Sequence, residues 1–299
     1  MQKHWILTAA LAFGCSASDN KTEDKSTAKP PAKMKKLSKE DLQKAVSAKK
    51  TAICKKNGKA VNCTSEVGLV PPPAEMQKAL ANAGIQEKLS QSVTSCNRAN
   101  FGANKDRAAV VTGVMMADLA LTLDSKAKTI ENKDEKIVCL NKMKEGFTLL
   151  GAGQDIPDTI DELINMIQNG TSSPGEMLKD FDELALILVP ELTYEAGEWV
   201  VPLIQAGSWL EGSNLVSKAI TKAGKADTAG HLMQQPHVAD YFLRYVKQTG
   251  PNKTSDTVNQ KLVATLTQLK TIASKDKITA DDMKTISAST DDVLSVLHN

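Results

Sequence analysis

The sequence predicts an all-α fold, a bundle of about eight to ten helices preceded by a small disulfide-linked β-hairpin. Three observations predict it. From Pro71 onward, apolar residues recur at spacings of three and four rather than two. Few stretches alternate β-branched and aromatic residues in the way a half-buried strand requires. Helix start and stop signals punctuate the same region at helix-length intervals. The helix-pair rhythm leaves an α-solenoid as the alternative arrangement, although no repeat of fixed length is present. A length of 299 residues suffices for one large core. A charged fraction of 24% and a mean hydropathy of −0.26 exclude a multi-span membrane protein. With 17 glycines and 11 prolines the chain is neither collagen-like nor wholly disordered, and four histidines exclude a histidine-rich metal protein.

Residues 1–14 read as a leader. Lys3 and His4 precede a mostly apolar run of ten residues, 5–14. A membrane span needs about twenty, so this run has the length of a signal-peptide core. It ends at Gly14-Cys15-Ser16, which resembles the bacterial lipobox, with Leu11 one place further out than usual and Ala12 and Phe13 in the intervening places. The resemblance implies a lipid on Cys15, which becomes the first residue of the mature chain. Ser16 stands where an Asp favours retention in the inner membrane, so the outer membrane of a bacterial envelope is the favoured destination.

Residues 15–37 form a lipid-anchored basic linker. This Lys/Ser/Thr/Pro segment lacks an apolar face and does not offset its own ordering entropy. Residues 21–60 hold 13 lysines against 4 acidic residues, whereas residues 61–299 are net acidic. A nucleic-acid binder would carry the basic charge on its folded part. Here that charge lies beside the anchor, where it suits anionic headgroups, so the expected partner is a membrane and not nucleic acid.

Residues 38–70 read as a short helix plus the hairpin. With Cys15 assigned to lipid, Cys54, Cys63, Cys96 and Cys139 remain, an even number that in an exported chain points to two disulfides. Of the three connectivities, Cys54–Cys63 with Cys96–Cys139 is the expected one. Asn57-Gly58 is a strong hairpin turn signal. A four-residue loop would put Cys54 opposite Cys63, and a two-residue loop would put it opposite Val61, so bridge and tight turn compete. Neither spacing is C-x-x-C and no histidine is near, so zinc is not expected.

The helical domain spans 71–299. Met76, Leu80, Ile85, Leu89 and Val93 mark one or two helices broken near Gly84. Residues 105–124 form a helix apolar on nearly all sides, hence central. A helix over 128–150 turns Ile130, Ile137, Val138, Leu140, Met143, Phe147 and Leu150 inward and carries Cys139. Pro157 and Gly170 bracket the next. Ser173-Pro174-Gly175-Glu176 is a capping-box start for a helix that ends near Val189. Residues 191–224 form a long helical stretch kinked at Pro202, and its Gly197, Gly207 and Gly212 call for a close neighbour as compensation. Helices follow from Pro236 to Tyr245, from an Asp256 cap through Ile272, from a Thr279–Asp282 cap over a short span, and over 290–298.

The search for chemistry yields few candidates. Gly151-Ala-Gly153 follows a helix and not a strand, so it reads as a turn. His231 and His237, six apart with Met233 between, are of the types that bind heme or metal but read as a surface histidine and a helix-start histidine. Glu191, Glu195 and Glu198 share a helix face without the Glu-x-x-His of a di-metal bundle. Asp118 is the most unusual residue, an acid inside the most apolar helix, where a lone charge is costly. It should pair with a Lys, an Arg or a helix N-terminus, or line a pocket. Trp199 and Trp209 are the aromatic candidates for a cavity wall. No catalytic constellation, cofactor motif or metal site is expected.

Three segments, Gly113–Leu121, Gly207–Gly212 and Gln235–Leu243, resemble a family of exported bacterial helical proteins over about residues 70–250. The resemblance implies packing motifs and brings no activity. The expected function is a lipid-anchored envelope protein, without enzyme activity, that binds a protein or envelope polymer. The alternatives are a carrier with an apolar cavity near Trp199 and Trp209, and an envelope enzyme using Asp118 or the Glu191/Glu195/Glu198 face.

Overall fold

The structure is a computed structural model that describes residues 53–56, 59–62, 70, 73–85, 89, 96, 99–102, 104–124, 127–181, 184, 192, 197, 199–249 and 256–298. The leader, the linker, Cys15, Cys63 and the Glu191/Glu195/Glu198 face lie outside them. Two strands, Ile53–Lys56 and Lys59–Asn62, pair antiparallel with Cys54 opposite Val61. That is the register of the two-residue turn.

The rest is helical: α1 (Pro73–Asn82), α2 (Lys105–Thr122), α3 (Lys133–Leu150), α4 (Asp155–Asn169), α5 (Val200–Lys222), α6 (Pro236–Thr249), α7 (Asp256–Ala273) and α8 (Ala280–His298). A further helical run covers residues 174–181. The capping signals explain most ends. Asn104 accepts from the Asp106 amide at 2.8 Å and starts α2. Gly151 and Gly170 close α3 and α4 in the left-handed region, at φ 89° and 63°. Ser173 and Glu176 form the reciprocal capping box, and Thr279 and Asp282 form another.

The largest contacts join helices far apart in sequence, while the outer helices pack on their chain neighbours. α2 and α5 form the central pair. α3 packs on α2 and α4 on α3, while α8 packs on the other side of α5, followed by α7 and α6. α1 lies across both central helices. Contacts between elements this far apart in sequence make a bundle, whereas a solenoid joins each unit only to its chain neighbours. Nearly every residue of α2 from Ala108 to Leu121 is buried, as the all-round apolar pattern requires.

The α2–α5 crossing is unusually close. A Cβ on Gly113 would stand 1.9 Å from the Ile204 carbonyl oxygen, and one on Gly207 2.0 Å from that of Val110. The two backbones touch, and each glycine makes room for the other helix. Gly212 likewise makes room for the Met76 thioether of α1, and Gly146 on α3 for Thr112 and the Phe101 ring.

Four expectations need correction. α5 begins at Val200, so Pro202 lies in its first turn, where a missing N–H costs nothing, and not in the middle of a longer helix. The break comes before it, with Gly197 at φ 104°. The last two helices are one, α8. Its Ser/Thr-rich middle reads as a break in sequence, but Thr285, Ser289 and Thr290 return their hydroxyls to the carbonyls four residues back. α3 starts at Lys133, not 128, because Asn132 takes a left-handed conformation at φ 50°. Val138 faces out, 37% exposed, since the buried face of α3 runs through Cys139, Leu140, Met143 and Phe147.

Cys96 and Cys139 are bonded, with Cα atoms 5.0 Å apart and 43 residues between them in sequence. The bridge fixes the segment before α2 to α3. Arg107 of α2 donates to the Leu297 carbonyl at 2.8 Å and holds the end of α8. Lys225, after α5, donates to the Ala83 and Gly84 carbonyls at the end of α1.

Two outcomes follow for stability. Gly207→Ala should cost about 3 kcal/mol or more, because backbone must move. Gly212→Ala should cost less, because a thioether can rotate away. Chemical denaturation reads both. Removing the Cys96–Cys139 bridge should cost about 2–4 kcal/mol by the loop-closure relation, seen as a lower denaturation midpoint for the double Cys→Ala variant.

Candidate functional site

Asp118 projects from α2 toward α5, just beyond the glycine contact. It is 0% exposed. Sequence reasoning expected a cation, a helix N-terminus or a pocket around it. The structure provides none of these as a hydrogen-bonding partner, since neither Asp118 oxygen accepts a hydrogen bond. Its counterpart is a second acid, Glu211 of α5, 5% exposed. Two carboxyl groups make such a contact only when one carries a proton. Burial, then the Glu211 charge facing it, pushes the Asp118 carboxyl well above the usual carboxylate range. Burial pushes Glu211 up as well, against the hydrogen bonds it accepts from Asp118 and Asn214.

The nearest cation, Lys136 of α3, is also buried, at 5% exposed. Its ammonium donates to the Thr122 hydroxyl, and burial pulls its pKa below the ordinary value. On the other side, Asn214 donates to Asp291 Oδ1 of α8 at 2.8 Å, and Lys218 pairs with the same oxygen at 2.7 Å. A file of polar groups therefore crosses the bundle from Lys136 through Asp118, Glu211 and Asn214 to the half-exposed Asp291 and Lys218.

A second feature is a small open cavity of about 160 Å³ between α1, α5 and the turn before α6. Met76, Trp209, Leu232 and Met233 form most of its apolar wall, with Glu75 and Gln235 as polar members. Trp209 donates Nε1–H to Gln235 Oε1 at 3.3 Å and tilts against Phe242, centroids 5.7 Å apart. Trp199 does not line it. This residue sits at the start of α5, where its carbonyl accepts the Tyr245 hydroxyl at 2.8 Å.

The other candidates fall apart as sites. His231 and His237 are exposed. Gly151 to Gly153 form an interhelical turn. Among the described residues no group of three or more His, Cys, Asp or Glu could hold a metal ion. Among them, too, no helix is long and apolar enough to cross a membrane. Sequence reasoning missed Glu211, Lys136 and Asn214. The signal for Glu211 was available: like Asp118, it is an acid in a mostly apolar helix, but the serines and glycines around it disguised the burial. Compared with protein-family models, curated proteins and solved structures, the chain matches none of them.

The acid pair fixes a pH dependence. A carboxyl whose folded pKa is raised binds its proton more tightly folded than unfolded. It contributes stability that is fully present below the unfolded value, about 3.8–3.9 for Asp, and lost as pH rises through the folded one. Acids such as Asp240, which Lys270 holds below the usual range, act with the opposite sign at acid pH, so the comparison must be differential. Asp118→Asn keeps the shape and the donor without the charge. Its stability relative to the parent should grow as pH rises from 4 to 8, in urea unfolding at each pH. A constant difference would contradict the pairing.

Proposed function

We propose that this chain is a lipid-anchored protein of the bacterial envelope whose helical body is a non-catalytic binding module. The lipobox-like leader, the basic linker and the acidic body support the address. The Cys96–Cys139 bond supports an oxidising compartment. The observation that carries the non-catalytic reading is the placement of Asp118 and Glu211. These acids have the strongest chemistry among the described residues, and both are sealed between α2 and α5, out of reach of a substrate. Their work is done inside the fold, which leaves the outer helix faces for a protein or polymer partner.

The second bridge, Cys54–Cys63, is part of this proposal. The two-residue register puts Cys54 opposite Val61, so the proposed bridge needs the four-residue loop that puts Cys54 opposite Cys63. A carrier function is the second reading, favoured by the cavity beside Trp209. Its volume resembles that of an engineered apolar cavity of about 150 Å³ that takes benzene, so a single-ring apolar molecule is the ligand it fits. Quenching of tryptophan fluorescence by such a probe, abolished in Ala79→Trp, is the expected result for a carrier.

Intact mass of the protein purified from its own membranes tests the address. The expected mass is that of residues 15–299 plus acyl chains, less about four hydrogens for two disulfides; a full-length mass with free thiols would overturn it. Cys15→Ser should move the protein from the membrane to the soluble fraction.

A further inference from the structure

The buried acid pair does more than shift stability with pH. We propose that the Asp118–Glu211 contact is a proton-binding site that latches α8: with one proton between the two carboxyl groups α5 holds α8 through Asn214 and Asp291, and without it α8 loosens.

The geometry carries this in three steps. First, the pair is held together by backbone. Gly113 and Gly207 bring α2 and α5 into direct contact, so the carboxyl groups have no room to part when both are charged. Second, the local charge closes with one proton and not without it. Of the charged groups around the pair, Lys136 of α3 acts on Asp118, and Lys218 of α5 and Asp291 of α8 act on Glu211 with opposite signs, while the exposed Glu135 of α3 and Glu131 of the turn before it act on Lys136. α1 adds none among the described residues. One proton leaves a single negative charge on the pair opposite the Lys136 ammonium. Losing it leaves two charges against one, in a buried place where bulk solvent screens them little.

Third, the polar file gives the strain an outlet. The protonated Asp118 carboxyl donates to Glu211. When that donor is gone, the remaining one within reach of Glu211 is the Asn214 amide, which also donates to Asp291 at 2.8 Å. Asn214 is drawn toward Glu211, and the added negative charge repels Asp291. Among the described residues, the polar link from α5 to α8 at this level is then the half-exposed Lys218–Asp291 pair, and exposed pairs hold weakly.

Hydrogen exchange of the full chain between pH 5 and 9, with the intrinsic pH dependence divided out, tests the latch. Protection of the α8 amides near Asp291 should fall by up to about tenfold per pH unit above ionisation of the pair, the slope for one linked proton. It should stay flat in Asp118→Asn. If that variant does not fold, Glu211→Gln should give the same flat profile. The infrared band of a protonated carboxyl group should be present in the parent at neutral pH and missing in Asp118→Asn. Identical exchange profiles in parent and variants, or no such band in the parent, would overturn the proposal. So would a rise in parent melting temperature on adding Ca²⁺ that Asp118→Asn lacks, because the site would then hold a metal ion.

Discussion

The rest of the structure depends on the contact between two helix backbones at Gly113 and Gly207. Helices packed through ordinary side chains lie about 8–10 Å apart. In this bundle each glycine admits the other helix's carbonyl to a place where a Cβ would clash at 2.0 Å or less. A helical glycine costs about 1 kcal/mol relative to alanine. The crossing offsets that cost with the most extensive interface among the described helices, and the remaining helices are arranged around it.

The contact also explains why acids sit where apolar residues would be expected. At a crossing this tight, side chains just beyond the glycines are pressed together and shut off from water. Asp118 and Glu211 occupy that position. An apolar pair of similar volume would be as stable or more so. What the acids add is a group that titrates inside the core and is wired by hydrogen bonds to the surface between α5 and α8. On the far side, Gly212 and Met76 tie the same turn of α5 to α1 and to the cavity beside Trp209. One short stretch of α5 therefore joins the acid pair, the α8 latch and the cavity wall.

Much of this was legible in the sequence. The all-round apolar run from Ala108 to Leu123 announced a central helix. The Ser173 and Thr279 capping signals placed helix starts correctly, and the glycines of α5 announced a close neighbour. Pairing Cys54 with Cys63 through the hairpin left Cys96 and Cys139 for each other, and that second pair is bonded. What was not legible depends on which helices meet. Asp118 stood out as costly, but its partner lies far along the chain, in a helix whose serines and glycines gave no sign that an acid there is buried. Spacing fixes a residue's face on its own helix and does not say which helix that face will meet. The single span of α8 was hidden for a local reason: hydroxyl residues that usually mark a break turn back onto the helix backbone.

The most direct test of the central claim, that Asp118 and Glu211 act as one buried unit, is a double-mutant cycle of unfolding free energies at pH 8 with Asp118→Asn, Glu211→Gln and the double variant. If the acids share one site, each single change relieves the same penalty, that of keeping a proton on the pair or two charges in contact. The double variant then gains much less than the sum, with an interaction energy of about 1 kcal/mol or more. Additivity within about 0.5 kcal/mol would mean that the two acids are solvated independently and that no shared proton holds them together.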